Sequence, residues 1–336
     1  MKNKLAIVRE AARWLLAFSC CAAMHTAALA QGGDWRPQKN VEIVVATSPG
    51  GGQDKTARTV QRIMQERKFV EASMSVVNKP GGGGAIGWSY LNQHAGDGHY
   101  LQIGNPTLLT NHIVGRFAFT YTDVSPIAVL FTESVAFSVP ANSPIKTGRD
   151  LLERLKKDVG SVSVSIGTST GSTNHIGIAL VARAAGGDAR KLKTVVFQSG
   201  GDAMTAVLGG HVDLVTSAAN NVVPHIDAGR LRVIAVSAPR RLGGVLAPVP
   251  TWKELGADVL VTNWRLAAGP RGLTAAQVAY WEGAFGRLVQ TDEWKKDLDQ
   301  NAFEDIFMRG EEARRFIKAE YDSFRAVLSE LGMAKQ

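Results

Sequence analysis

The sequence predicts a two-lobed α/β protein built on parallel sheets, and three observations predict it. Apolar, β-branched runs recur along the chain and alternate with stretches of helical period. Several of those runs are nearly continuous rather than alternating, as strands covered on both faces should be. Two Pro-punctuated crossings divide the runs into two groups, the pattern left when a second lobe is inserted into the first.

The first thirty residues stand apart from this fold. Lys2, Lys4, Arg9 and Arg13 make a basic start, "WLLAFSCCAAMHTAALA" is apolar, and Ala28-Leu29-Ala30 is a small-x-small cleavage site. This is the pattern of a secretory signal peptide, residues 1–30, removed after Ala30. A retained anchor is the alternative, but the run is short for a membrane span and His25 and Thr26 interrupt it. Lipidation at Cys20 or Cys21 would need a smaller residue than Phe18 before the cysteine pair.

Both cysteines lie in this segment, so the mature chain of 336 − 30 = 306 residues holds none. That excludes disulfides, thiolate metal sites and cysteine nucleophiles, and no metal site is expected. The segment carries four basic residues and one acidic, so the net charge falls from +8 to +5 on removal. The cations are scattered among acids, which argues against nucleic acid and favours a small anionic ligand.

In chain order, the first group of strands is "VEIVVA" (41–46), "MSVVN" (74–78), "YLQIGN" (100–105) and "IAVLF" (127–131). Ala57, Val60, Ile63 and Met64 mark the inner face of the first helix. "SVPANSPIKTGRD" (138–150) is the first crossing, and Leu151, Leu152 and Leu155 mark the helix that follows. The second group is "VSVSIG" (162–167), "KTVVFQ" (193–198), "VDLVTS" (212–217) and "RVIAVS" (232–237). "APRRLGGVLAPVP" (238–250) is the second crossing, and the remainder is expected to be mostly helical, with Trp281, Trp294 and Phe316 in the core. The expected organisation is domain I at 34–135 plus 247–336 and domain II at 136–246.

Five Gly- or Ser-rich turns each follow a strand and open a helix: "SPGGGQD" (48–54), "NKPGGGGAIG" (78–87), "GNPTLLTN" (104–111), "GTSTGSTNHIG" (167–177) and "QSGGDA" (198–203). The first N–H groups of a helix lack intrahelical partners and present positive potential, so they bind anions without a cationic side chain. Such turns lie where open α/β sheets bind ligands. Asp54 is placed as an N-cap or first-turn residue.

Three motif matches compete with that reading. "GGGAIG" (82–87) fits a dinucleotide fingerprint, but Thr107 and Leu108 stand where the acid should be. "DKT" (54–56) resembles the end of a nucleotide loop, but Asp54 replaces its glycine. "GTSTG" (167–171) fits a nucleophile elbow with Ser169 as nucleophile, yet His175, His211 and His225 are the only later histidines. His175 either donates to a ligand or simply caps and packs. Arg265 is either a cleft cation or half of an ion pair.

In order, "SPGGGQD", "NKPGGGGAIG", "STGSTNHIG", "GGDAMTAVLGGHVDLV", "VVPHIDAGRLRVIAVS", "VPTWKELG" and "NWRLAAGP" strongly resemble the Bug/TctC family, the extracytoplasmic solute receptors of tripartite tricarboxylate transporters. The resemblance runs from about 34 to 334, and "AYWEGAFGRLVQTDEWKKDL" looks most like the citrate-receptor branch. It implies a two-domain periplasmic-binding-protein fold, Venus flytrap and type II-like, with a ligand cleft between lobes that hinge at the two crossings. It implies a binding protein rather than an enzyme, with no cofactor, a monomer that hands a small carboxylate (citrate, another tricarboxylate or a dicarboxylate) to membrane permease subunits.

Carried over by position, the resemblance implies first-domain ligand contacts at Ser48, Gly50, Gly51, Gly52 and Asp54, with Gly83, Gly84 and Ala85 alongside and Asn105 and Thr107 from the third turn. In the second domain it implies Thr168, Ser172, Thr173, Asn174 and His175, with Gly200 and Gly201 nearby. One departure is Thr47-Ser48, where many members carry an aromatic or small apolar residue. A ligand sensor for a two-component system on the same fold, or an exported hydrolase using Ser169, are the alternatives.

Overall fold

The computed structural model describes residues 35–335. The signal-peptide expectation, residues 1–30, lies outside the described residues. β1 (Val41–Val45), β2 (Met74–Asn78) and β3 (Tyr100–Gly104) form the first parallel core, in the order β2-β1-β3. β5 (Ser163–Gly167), β6 (Lys193–Phe197) and β7 (Leu214–Ala218) form the second, in the order β7-β5-β6. Helices α1 (Gly52–Glu66), α2 (Ala85–Gln93) and α3 (Thr107–Ile113) follow the first three strands. In the second lobe, α4 (Gly148–Lys157), α5 (Thr173–Ala184), α6 (Gly200–Leu208) and α7 (Val223–Asp227) follow in turn.

The two cores are joined by antiparallel strands that the sequence reading did not resolve. β4 runs over seventeen residues, Val124–Pro140, where only 127–131 was expected to be a strand. Its first part, to Ser134, pairs with β9 (Thr262–Pro270) and β10 (Glu304–Arg309). Its second part, from Val135, pairs with β7 and with β8 (Leu231–Ser237). One strand therefore belongs to both sheets, and the change of sheet falls inside it, between Ser134 and Val135, ahead of the expected crossing at 138–150.

Each lobe has its own core. Ile43, Ile63, Met64, Leu101 and Phe131 pack with Trp281, Phe285 and Trp294 from the C-terminal helices α8 (Ala275–Leu288) and α9 (Asp292–Gln300). Trp281 and Trp294 are fully buried, as expected, whereas Phe316 on α10 (Gly310–Glu330) is only half-buried. In the second lobe Met204, Val207, Val215 and Val236 pack together. A third cluster spans the lobes and contains Phe137, Ile166, Ile178, Trp252, Trp264 and Ile317. β6 departs from its expected burial: Val195 and Val196 are exposed because this strand is the sheet edge.

The return crossing is longer than its sequence suggests. Trp252 packs edge-on against Phe137, Thr251 bridges to Val236, and the Ser237 hydroxyl donates to Val261 O at 3.0 Å. Thr251, Trp252 and Val261 thus stay against the second sheet, and pairing with the first sheet resumes at Thr262.

Candidate functional site

Three helices begin at the junction between the lobes. α1 opens at Gly52 with no side-chain cap, so its first-turn N–H groups have no intrahelical acceptor. α5 opens after Ser172, whose hydroxyl accepts from His175 N–H, and α6 opens after Ser199, which accepts from Asp202 N–H. The lobes are drawn together by direct contacts. Ser169 Oγ donates to Asn111 Oδ1 at 2.9 Å, and Asn111 Nδ2 donates to Gly83 O at 2.8 Å. Lys55 Nζ donates to Asn221 Oδ1 at 3.4 Å, and Arg116 donates to Thr170.

A cavity of about 40 Å³ lies between these helix starts. Of the residues expected at the site, Gly51, Gly52 and Asn105 line it from the first lobe. Thr168, Ser172, Thr173, Asn174 and Gly200 line it from the second. Thr168 holds φ +76°, a left-handed conformation strained for a β-branched residue.

The other expected residues do not form the cavity wall. Ser48 and Gly50 belong to the turn before α1 but stand off the lining. Asp54 is a brace: its carboxylate accepts from Gly50 N–H, from Arg58 and from Asn78 Nδ2 at 2.9–3.0 Å. Those donors hold its carboxyl below the usual range against the opposing effect of burial. Gly83, Gly84 and Ala85 make the turn into α2, where four successive glycines, Gly81 to Gly84, have positive φ. Gly83 also lies against Ser169, where a Cβ would sit 3.1 Å from Ser169 Cβ. Thr107 Oγ1 donates to Asn105 Oδ1 at 2.5 Å and so orients a lining side chain. Gly201 packs on the backbone of Gly50.

His175 is not on the cavity lining. Gly171 N–H donates to its Nδ1 at 2.9 Å, which puts the ring proton on Nε2. Burial, with a smaller contribution from Arg116, pushes its pKa down to about 4, so the ring is neutral at pH 7. Ser169 donates to Asn111, not to a histidine, which removes the pairing an elbow nucleophile requires.

Sequence reading missed Thr47, Gln53, Gly167, Ala218 and Asn221 on the walls, and Glu133 and Asn263 among the strands beneath; Arg265, read as a cleft cation or half of an ion pair, is both on the lining and paired. Asn263 stands directly opposite Glu133 on the neighbouring strand, and Arg265 follows two residues on, on the same face. Arg265 Nη2 lies 2.5 Å from Glu133 Oε1, and both side chains are at most 3% exposed. Asn263 Nδ2 donates to the same oxygen at 2.7 Å. Burial pushes the Glu133 carboxyl up, and Arg265 and then Asn263 pull against it. Gly52 is glycine because a Cβ there would sit 2.5 Å from Arg265 Nη2. A polar residue inside the apolar run "VLFTESVAF" was the available signal for Glu133.

Six buried polar atoms on this lining have no hydrogen-bond partner: Thr47 Oγ1, Gln53 Oε1, Glu133 Oε2, Asn174 Oδ1, Asn263 Oδ1 and Arg265 Nε. Proteins satisfy nearly all such atoms, so a cluster of them marks a place built for a polar guest. Four surface grooves are larger, about 340 to 750 Å³, but none of them gathers atoms of this kind. Among the described residues no group of three or more His, Cys, Asp or Glu could hold a metal ion. No described helix is long and apolar enough to cross a membrane.

Comparison with known proteins follows the same lines. The family model described as "Tripartite tricarboxylate transporter family receptor" matches residues 56–333. A UPF0065 protein from the TAR-I ttuE-ttuC' intergenic region of Agrobacterium vitis is 30% identical over 258 residues, 74% of this chain and 70% of the relative. A ligand-free TctC solute-binding protein from Polaromonas is 27% identical, with a TM-score of 0.63 over 88% of this chain and 99% of its own. R. palustris Rpa4515 with adipate is 24% identical, with a TM-score of 0.82 over 90% of this chain and 99% of its own. The fold is that of the periplasmic binding proteins.

Proposed function

The chain belongs to the tripartite tricarboxylate transporter receptor family, and we propose that it is a periplasmic receptor that binds a small di- or tricarboxylate between its lobes and delivers it to the membrane permease subunits of such a transporter. The observation that carries this reading is the convergence of three helix starts, from two lobes, on one cavity lined by unpartnered polar atoms. Main-chain N–H groups at helix starts hold a carboxylate by charge-assisted hydrogen bonds and release it again. The α1 start takes one carboxylate, and the Thr168–Asn174 turn closes over the other end. The adipate in a protein of the same fold is a ligand of this class.

On this reading domain I comprises residues from 34 into β4 together with the C-terminal strands and helices, domain II lies between, and the receptor acts as a monomer. The test is a thermal-shift screen of the purified protein against mono-, di- and tricarboxylates, with calorimetry on each hit. A bound acid raises the midpoint by mass action, by about 2.7 kcal/mol of stability at a hundred times its Kd. Silence across the panel overturns the proposal. Uptake in cells that lack the protein separates transport from sensing: unchanged uptake of the bound acid would point to a sensor.

A further inference from the structure

We propose that Glu133 and Asn263 form a subsite for a nitrogen-bound hydrogen, so that the ligand is a carboxylate also carrying an amine or carboxamide. This rests on the receptor reading above and narrows it.

Glu133 Oε1 is fully engaged, by Arg265 Nη2 and by Asn263 Nδ2. That bond fixes the Asn263 amide: Oε1 already accepts from Arg265 Nη2, so it is an acceptor and the amide nitrogen must face it. Asn263 Oδ1 is left as an acceptor. Glu133 Oε2 and Asn263 Oδ1 are then two neighbouring acceptors, both buried, both without a donor, and both on residues that line the cavity. Side-chain exposure of Glu133 is 1%, so its carboxylate faces the cavity rather than bulk solvent.

A second carboxylate is the wrong guest for this corner. It has no hydrogen to give, and it would bring like charge to the unpartnered oxygen of Glu133 in a site with little screening. Arg265 is already spent on Glu133, so the pair is close to neutral and offers a directed acceptor rather than net charge. Arg265, two residues from Asn263 along the same strand face, contributes an unpartnered donor, its Nε, to the same lining. An acceptor next to a donor matches a carboxamide edge, while two acceptors match an amine; N–H is common to both. The carboxylate end stays with the helix starts across the cavity.

Calorimetry on the wild-type protein with matched acids tests the subsite: succinate, aspartate and succinamate, and then glutarate, glutamate and glutaramate. A charge-assisted hydrogen bond in a buried site corresponds to about ten- to hundredfold in affinity. The amine or the amide member of a series is expected to bind tighter than its parent diacid by that factor, and the better of the two identifies the nitrogen group. Glu133→Gln should shrink the preference to a few-fold or less, because it weakens the acceptor and frees Arg265 for the second carboxylate of the parent diacid. If that variant does not fold, the wild-type comparison decides alone. Parent diacids binding as tightly as their nitrogen-bearing relatives would overturn the subsite and leave the carboxylate receptor standing. Binding of none of the six would overturn the subsite, and with a silent carboxylate screen it would overturn the receptor as well.

Discussion

His175 should make this protein acid-labile in a way one substitution can remove. In the fold its pKa is pushed down to about 4 by burial and by Arg116, whereas in the unfolded chain it sits near the ordinary value of about 6.5. The unfolded state therefore binds the proton first, and stability is present above pH 6.5 and lost as the pH falls toward 4. Integrating the shift gives a loss of about 2 kcal/mol by pH 5 and about 3 kcal/mol by pH 4. His175→Asn keeps an acceptor for the Gly171 N–H but cannot titrate. Urea unfolding of both proteins at pH 7.5, 6 and 5 isolates the effect, because carboxylates such as Asp97, held down to about 2, cancel in the difference. The wild-type protein should lose about 2 kcal/mol more than the variant over that range. Curves that run parallel within about 0.5 kcal/mol would refute the burial argument.

Two further substitutions address the cavity. Asn174→Ala removes a lining amide whose Oδ1 has no protein partner, so binding of the best carboxylate should weaken by about 1–2 kcal/mol while the urea midpoint stays within error; unchanged affinity by calorimetry would take Asn174 out of the site. Gly52→Ala places a methyl group 2.5 Å from Arg265 Nη2, which Glu133 pins in place. The clash should outweigh the helix-propensity gain and cost about 1–3 kcal/mol in urea unfolding, and a more stable variant would show that Arg265 is free to move.

Much of the architecture was legible because parallel strands buried on both faces leave continuous β-branched runs. Val41–Val45 comes nearest to this, Ser163–Gly167 showed instead an alternation of Ser with Val and Ile, and the glycine turns after both announced helix starts. The antiparallel elements were harder. β9 carries Asn263, Trp264 and Arg265 in its middle, and β10 alternates weakly as "EDIFMR", so neither displays the pattern of a buried strand. Half of the cavity lining was found because turns advertise themselves by composition. Glu133 and Asn263 were not, because a polar residue in a strand reveals its purpose only through the register that sets it opposite its partner. Asp54 and His175 stand off the lining for the complementary reason: each sits at a helix start, yet the Asp54 carboxylate is taken up locally by Gly50, Arg58 and Asn78 and the His175 Nδ1 by Gly171.

β4 passes from one sheet to the other between Ser134 and Val135, one residue beyond Glu133. Atoms beside a pivot travel least when the two halves swing, so Glu133 and its companions on β9 would stand almost still through the whole cycle. On the proposed receptor reading, inspection of an incoming molecule would then begin on a stationary anvil, before the second jaw arrives, and a misfit would be turned away while the exit is still wide.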